Sequence, residues 1–298
     1  MDWINPSGAK KVHSLIDKVY QRKNLEMAWE KVKANRGSGG VDGQNLEGFA
    51  AKWDEQLDRL QSELKEDVYR PQPVRQVQIP KVGKPGEFRT LGIPTIYDRV
   101  CQQALLNRLE PIFEPVFDEA NFGYRRGRST KDAMRKVWKE IQGGREWIVD
   151  ADLKDFFGSV DHAKLLTLVA QRIADGRVLR LIEAMLKAGS YGKGRLFPTE
   201  RGTPQGGVVT PRTQKITSNL NGGWNFGESR VRIDLCRIRL YVYDRCRAPA
   251  RPRKPSASIA RATCCCMSIS SPMRSASWRG TAPFRPVRPI VTSNKLSA

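Results

Sequence analysis

The richest chemistry in the sequence lies in Val149-Asp150-Ala151-Asp152-Leu153-Lys154-Asp155-Phe156-Phe157-Gly158. Trp147, Val149, Ala151 and Leu153 alternate with Asp150 and Asp152. That spacing predicts a strand over Ile148 to Leu153 with its carboxylates on one face. Carboxylate oxygens are the ligands that Mg²⁺ takes, and two such ions activate a hydroxyl nucleophile and neutralise a polyphosphate. Taken alone, the same aspartates suit a turn cap or a solvated face equally well. A second stretch is Arg201-Gly202-Thr203-Pro204-Gln205-Gly206-Gly207-Val208-Val209-Thr210-Pro211. Its glycines let backbone come close to another group, and the Gln205 amide can both donate and accept. Lys81 and Arg89 flank the turn Val82-Gly83-Lys84-Pro85-Gly86. Asn121-Phe122-Gly123-Tyr124-Arg125-Arg126-Gly127-Arg128-Ser129 forms a basic, aromatic, glycine-rich loop. The formal net charge of +21 points to a polyanionic partner, most simply RNA or DNA.

In this order the blocks resemble the reverse transcriptases (maturases) encoded by bacterial group II introns. The first carboxylate block and the Pro-Gln-Gly block stand at the family's interval. Ile79-Pro80-Lys81, Phe88 to Pro94 and Asp98 to Gln102 are similar to its fingers region, and Gly40-Val41-Asp42-Gly43 to its early block. The resemblance covers about residues 10–211. It implies an α+β right-hand polymerase, present as fingers and part of the palm, and a family activity of RNA-templated DNA synthesis coupled to intron splicing and mobility. It casts Asp152 as catalytic residue and Mg²⁺ ligand, with the Leu153 carbonyl as a second ligand. Phe157 becomes the gate against a ribose 2′-hydroxyl. Lys81 and Arg89 become the triphosphate clamp, although two surface cations would look the same. Gln205 falls beside the nascent base pair, and Arg125, Arg126 and Arg128 fall near template RNA. The implied partners are group II intron RNA, a DNA primer or target, and a dNTP.

The family then continues to Tyr-x-Asp-Asp, and here the sequence departs from it: no two adjacent Asp residues occur anywhere. Tyr241-Val242-Tyr243-Asp244 supplies one carboxylate and stands too soon after Gln205. Little or no polymerisation is therefore expected. The alternatives are a noncatalytic intron-RNA-binding remnant or an unstable pseudogene product.

The elements that must carry these blocks are legible in outline. Leu25 to Val32 reads as helix, followed by a turn at Gly37 to Gly43. Phe49, Trp53, Leu57, Leu60 and Leu64 repeat at three and four, as do Val100, Ala104, Leu105, Leu109 and Ile112. Val74 to Pro80 and Thr90 to Ile93 read as strands, and Asp132 to Ile141 as helix. Asp161 is placed to cap a helix bearing Leu165, Leu168, Val169 and Ile173. His162 belongs with that cap rather than with acid–base chemistry. The expected organisation is an N-terminal helical extension over 1–65, fingers and partial palm over 66–211, and a tail over 212–298. The tail carries 17 basic and 3 acidic residues and five of the six cysteines. Its Arg, Pro, Ser and Cys excess reads as out-of-frame coding, with a basic RNA-binding tail as the rival. Most of it is expected to be disordered, with a strand-like piece over Val231 to Val242. Cys264, Cys265 and Cys266 lack zinc spacing, and His13 and His162 lie far from them. No 18-residue apolar run is present and the N-terminus lacks a signal-peptide core, so no membrane and a cytoplasmic location are expected.

Overall fold

The computed structural model describes residues 11–81, 83, 85–144, 147–152, 156–220, 231–235, 238–243 and 291–292. Four helices open the chain: α1 (Ile16–Val19), α2 (Arg22–Ala34), α3 (Leu46–Ala50) and α4 (Trp53–Lys65). α2 buries Leu25, Ala28, Trp29 and Val32, the three-and-four spacing of one helical face. α4 does the same with Leu57, Leu60 and Leu64. Trp29 packs on Phe49 of α3 with ring centroids 4.7 Å apart. These faces close on α5 (Ile96–Phe113), which buries residues around most of its circumference and so forms the spine of the core. Asn24 of α2, fully buried, donates to Val19 O (2.8 Å) and Ala104 O (3.0 Å) and fixes how α2 crosses α5.

Two four-stranded sheets accompany these helices. In the first, β1 (Val74–Pro80) and β2 (Phe88–Ile93) form an antiparallel hairpin, with β4 (Ser190–Gly192) and β5 (Arg195–Phe197) added in the order β2-β1-β4-β5. In the second, β3 (Trp147–Asp152) is paired antiparallel to β7 (Ile238–Tyr243) and parallel to β8 (Val291–Thr292), with β6 (Val231–Leu235) outside β7. The remaining helices are α6 (Thr130–Gln142), α7 (Phe156–Ser159), α8 (His162–Ala170), α9 (Gly176–Lys187) and α10 (Thr210–Leu220). Ser129 and Asp132 close a reciprocal capping box on α6. Asp161 caps α8 by accepting from Lys164 N at 3.0 Å, and the buried Asp175 caps α9. Asp175 also accepts from the N–H groups of Leu15 and Ile16, both at 2.8 Å, which ties the start of the described chain to α9.

The mixed helix and sheet order is the α+β fold expected. One feature differs from the tail expectation. α10 runs across residue 211 to Leu220, and Arg212, Thr213, Lys215, Ile216 and Thr217 are buried, with Ile216 in the main core. The strand-like piece expected over Val231 to Val242 forms β6 and β7, with β6 paired to β7 and β7 to β3. The remainder of 212–298, apart from β8, lies outside the described residues, as does the expectation of disorder made for it.

Candidate functional site

The Pro-Gln-Gly loop is the hinge pin of the site, because it is bonded to three separate elements. On one side, Gly202 N donates to Val160 O and Thr203 N to Phe157 O, both at 2.8 Å. On another, Gln205 O accepts from Gly92 N of β2 at 2.7 Å. From behind, Gln102 Oε1 of α5 accepts from Val208 N at 2.8 Å. Two glycines are required for so close an approach. A Cβ on Gly206 would stand 2.5 Å from Gly92 O with φ at +119°, and one on Gly202 would stand 2.7 Å from Phe157 O with φ at +85°. The half-buried Gln205 and the half-buried Phe157 are thereby held in one neighbourhood. His162, buried, bonds Gly202 O through Nε2 at 2.7 Å, so it supports the loop rather than the α8 cap, which Asp161 makes.

The fingers hairpin contributes the cations. Ile79 pairs with Arg89, and Lys81 N donates to Glu87 O at 2.9 Å. The two-residue alternation of a strand therefore puts Lys81 and Arg89 on the same face of the hairpin. Both are exposed, and Lys81 Nζ is 2.8 Å from Glu87 Oε2. Val82 and Lys84 of the intervening turn lie outside the described residues. Behind the hairpin, Arg75 donates to Gly39 O (2.9 Å) and Arg99 to Ser38 O (2.5 Å), which fastens the Gly37–Gly43 turn. A Cβ on Gly40 would meet the Thr95 backbone at 2.5 Å, so that turn is pressed onto the start of α5.

The three loop arginines separate into different roles. Arg125 is turned inward: its side chain is 7% exposed, donates to Glu114 Oε1 at 2.6 Å and to the carbonyls of Asp118 and Asn121, and lies over Phe117. Its guanidinium is committed to shaping the loop, which corrects the expectation that it faces RNA. Arg128 donates to the Glu119 and Asn121 carbonyls and lies over Phe122. Arg126 is the one that projects, 75% exposed. Asp152 sits at the end of β3, where its backbone pairs with Ile238 of β7, and Leu153 lies outside the described residues.

Two internal networks escaped the sequence reading. Arg212 of α10, 5% exposed, bridges Glu110 (2.7 Å) and Glu114 (2.9 Å) and lies over Phe117. Burial pushes the Glu114 carboxyl up, but hydrogen bonds from Arg125 and Arg212 outweigh it and hold the group below the usual glutamate range. Asp98, 1% exposed, accepts from Tyr69 Oη (2.6 Å), Thr95 Oγ1 (2.7 Å) and Gln72 N (3.1 Å). Burial wins there and raises its pKa. The available signal was Asp98 and Gln102, four apart on a helix and flanked by the apolar Val100, Cys101, Ala104 and Leu105.

Residues 79–220 match the family described as reverse transcriptase (RNA-dependent DNA polymerase). Group II intron-encoded protein LtrA of Lactococcus lactis subsp. cremoris is 35% identical over 192 residues, covering 64% of this chain and 31% of the relative. The chain belongs to the group II intron reverse transcriptase family. Protein YkfC of Escherichia coli strain K12 is 33% identical over 223 residues, covering 73% of this chain and 58% of that protein. This family member thus spans less than two thirds of the length of either relative. Its fold is shared with a partial Cas6-RT-Cas1–Cas2 complex, at a TM-score of 0.50 and 17% identity, over 78% of this chain and 38% of that one. The family match ends at the last residue of α10, nine residues beyond the boundary read from composition. Among the described residues no helix is long and apolar enough to cross a membrane.

Proposed function

We propose that this chain is the nucleotide- and RNA-gripping part of a group II intron reverse transcriptase, and that it binds without polymerising. One observation carries the reading: the loop holding Gln205 is bonded both to β2 of the fingers hairpin and to the backbone of Phe157. Three blocks far apart in sequence therefore converge. In this reading Lys81 and Arg89 take the triphosphate, Gln205 and Phe157 border the nascent pair, and Arg126, with Arg128 behind it, meets template RNA. The partners are intron RNA, a DNA primer or target, and a dNTP. The N-terminal helices over 1–65 buttress a fingers and partial-palm unit that begins at 66 and continues through α10.

Reverse transcriptases use divalent metal, and the residues here do not fit a two-ion centre. Asp152 and the Leu153 carbonyl are the ligands implied by resemblance. Yet the residues paired across from Asp152 and Ala151 are Ile238 and Arg239. Among the described residues no group of three His, Cys, Asp or Glu converges. A two-ion centre needs carboxylates shared between ions about 3.5–4 Å apart.

Two measurements on the full chain test this. Primer extension on an RNA template with Mg²⁺ should give no product, while RNA binding persists and weakens steeply with salt. A labelled dNTP should bind, and Lys81→Ala together with Arg89→Ala should remove that binding. Robust extension that is lost on Asp152→Ala would overturn the noncatalytic reading. A dNTP affinity indifferent to the double substitution would overturn the clamp.

A further inference from the structure

α6 carries two stripes of opposite character. Its inward stripe, Ala133, Val137 and Ile141, packs with Phe122 in a small core of its own. Its other stripe is Lys131, Met134, Arg135, Trp138 and Gln142, at the spacing i, i+3, i+4, i+7, i+11, which is one continuous helical face. All five are exposed, with Met134 at 60% and Trp138 at 58%. A solvated face has no use for a tryptophan and a methionine one turn apart. Burying this pair would bring about as much apolar surface out of water as a core position does.

The charge around the pair decides what covers it. Lys131 and Arg135 share the helical face of Trp138, and Lys136 and Lys139 lie further round the helix; against them stand Asp132 and Glu140. Asp132 is bonded to Arg135 at 2.9 Å and to the Ser129 cap. The stripe therefore offers an aromatic plane flanked by cations in a chain of net charge +21. An apolar protein surface would gain nothing from those cations. An unpaired nucleotide strand uses both: a base stacks on the indole, and phosphates meet the cations on either side. The helix starts directly after the loop that exposes Tyr124 (65%) and Arg126, so the stripe continues from a surface already given to RNA.

We propose that the outward stripe of α6 is a second, separate binding surface for single-stranded nucleic acid, with Trp138 as its stacking platform and Lys131 and Arg135 as its phosphate contacts. The surface lies outside the loop–hairpin site and needs neither a dNTP nor a metal ion.

The experiment is fluorescence anisotropy of the full chain with labelled oligothymidylate, oligouridylate and a duplex of matched length. Trp138→Ala should weaken single-strand binding by about tenfold, the order of one lost base stack. Trp138→Phe should restore most of it. Lys131→Gln with Arg135→Gln should flatten the dependence of affinity on salt, with a log–log slope lower by about one to two. Lys81→Ala with Arg89→Ala removes dNTP binding in the first reading but should leave the effect of Trp138→Ala intact, so the two proposals fail independently. Single-strand affinity within about twofold of wild type for Trp138→Ala would overturn this one. So would an equal loss for duplex and single strand. A Trp138→Ala chain that changes oligomeric state without changing oligonucleotide affinity would assign the stripe to a protein contact and also overturn it. Because Trp138 is exposed, circular dichroism of the variant should match wild type.

Discussion

Replacing Arg212 by methionine tests whether the structured unit includes α10. The guanidinium is 5% exposed and makes charge-assisted bonds of 2.7 Å to Glu110 and 2.9 Å to Glu114 while lying over Phe117. Two such bonds are worth up to roughly 3–6 kcal/mol together. Three features reduce that figure. Methionine refills part of the volume, Glu110 and Glu114 remain 20% and 31% exposed to water, and Arg125 still holds Glu114 at 2.6 Å. A net cost of about 2–3 kcal/mol follows. For a unit of this size that lowers Tm by roughly 5–10 °C in a thermal melt of the full chain. Arg212→Lys, which keeps one charge but cannot bridge both carboxylates, should fall between. The folded Glu114 pKa is depressed below 4.5, so its contribution is complete above the unfolded value and disappears as pH falls through the folded one. Losing one of its two arginine donors should therefore move the acid-unfolding midpoint of Arg212→Met upward. A melt within about 1 °C of wild type at neutral pH would refute the reasoning and leave the boundary at 211.

Other changes probe other joints. Gly206→Ala must accept φ near +119° and a Cβ 2.5 Å from Gly92 O, a strain of about 1–3 kcal/mol or more. It should lift the loop from β2 and weaken dNTP binding at least about tenfold by equilibrium titration; unchanged affinity would mean that the loop does not shape the site. Asn24→Leu leaves the Val19 and Ala104 carbonyls and the Asn107 amide without their partner, at about 2–3 kcal/mol, read from the urea midpoint. A loss below about 0.5 kcal/mol would show that water replaces that amide.

α2 and α4 were legible because their burial is one-sided, although the single helix read over Phe49 to Leu64 is broken between α3 and α4 and the short α1 was not read. Leu57, Leu60 and Leu64 occur at the spacing that buries them, and so do Leu25, Ala28, Trp29 and Val32. The convergence of distant blocks was legible only through resemblance, since no local pattern says that Gln205 O will meet Gly92 N. The arginines of the basic loop show the limit of reading charge in a string. Arg125 and Arg126 are neighbours, yet the first is turned in against Glu114 and the second projects to solvent. Which does which depends on Glu114 and Phe117, supplied from the end of α5 and the turn after it. Composition likewise drew a boundary at 211. Arg212 counted as a tail arginine, although its partners are Glu110 of α5 and Glu114 just beyond that helix.

The hairpin beside β3 separates what a fold demands from what catalysis demands. Val231, Ile233 and Leu235 alternate with Arg232 and Asp234, and Ile238, Leu240 and Val242 with Arg239 and Tyr241. A period of two is sufficient for two strands to pair with each other and with an unfilled sheet edge, whatever their origin. The edge of β3 is such a place, and β7 fills it from Trp147↔Tyr243 to Asp152↔Ile238. A metal centre asks for much more, because specific oxygen atoms must reach one point. The register sets Ile238 across from Asp152 and Leu240 across from Asp150, and it pairs Asp234 with Arg239 one strand further out. At about 4.8 Å per strand, Asp234 stands roughly 10 Å from β3 in the sheet. Strand pairing is tolerant of sequence and metal coordination is not. A sheet can therefore form on β3 without a second carboxylate pair beside Asp152, which is the arrangement that the proposed noncatalytic reading requires.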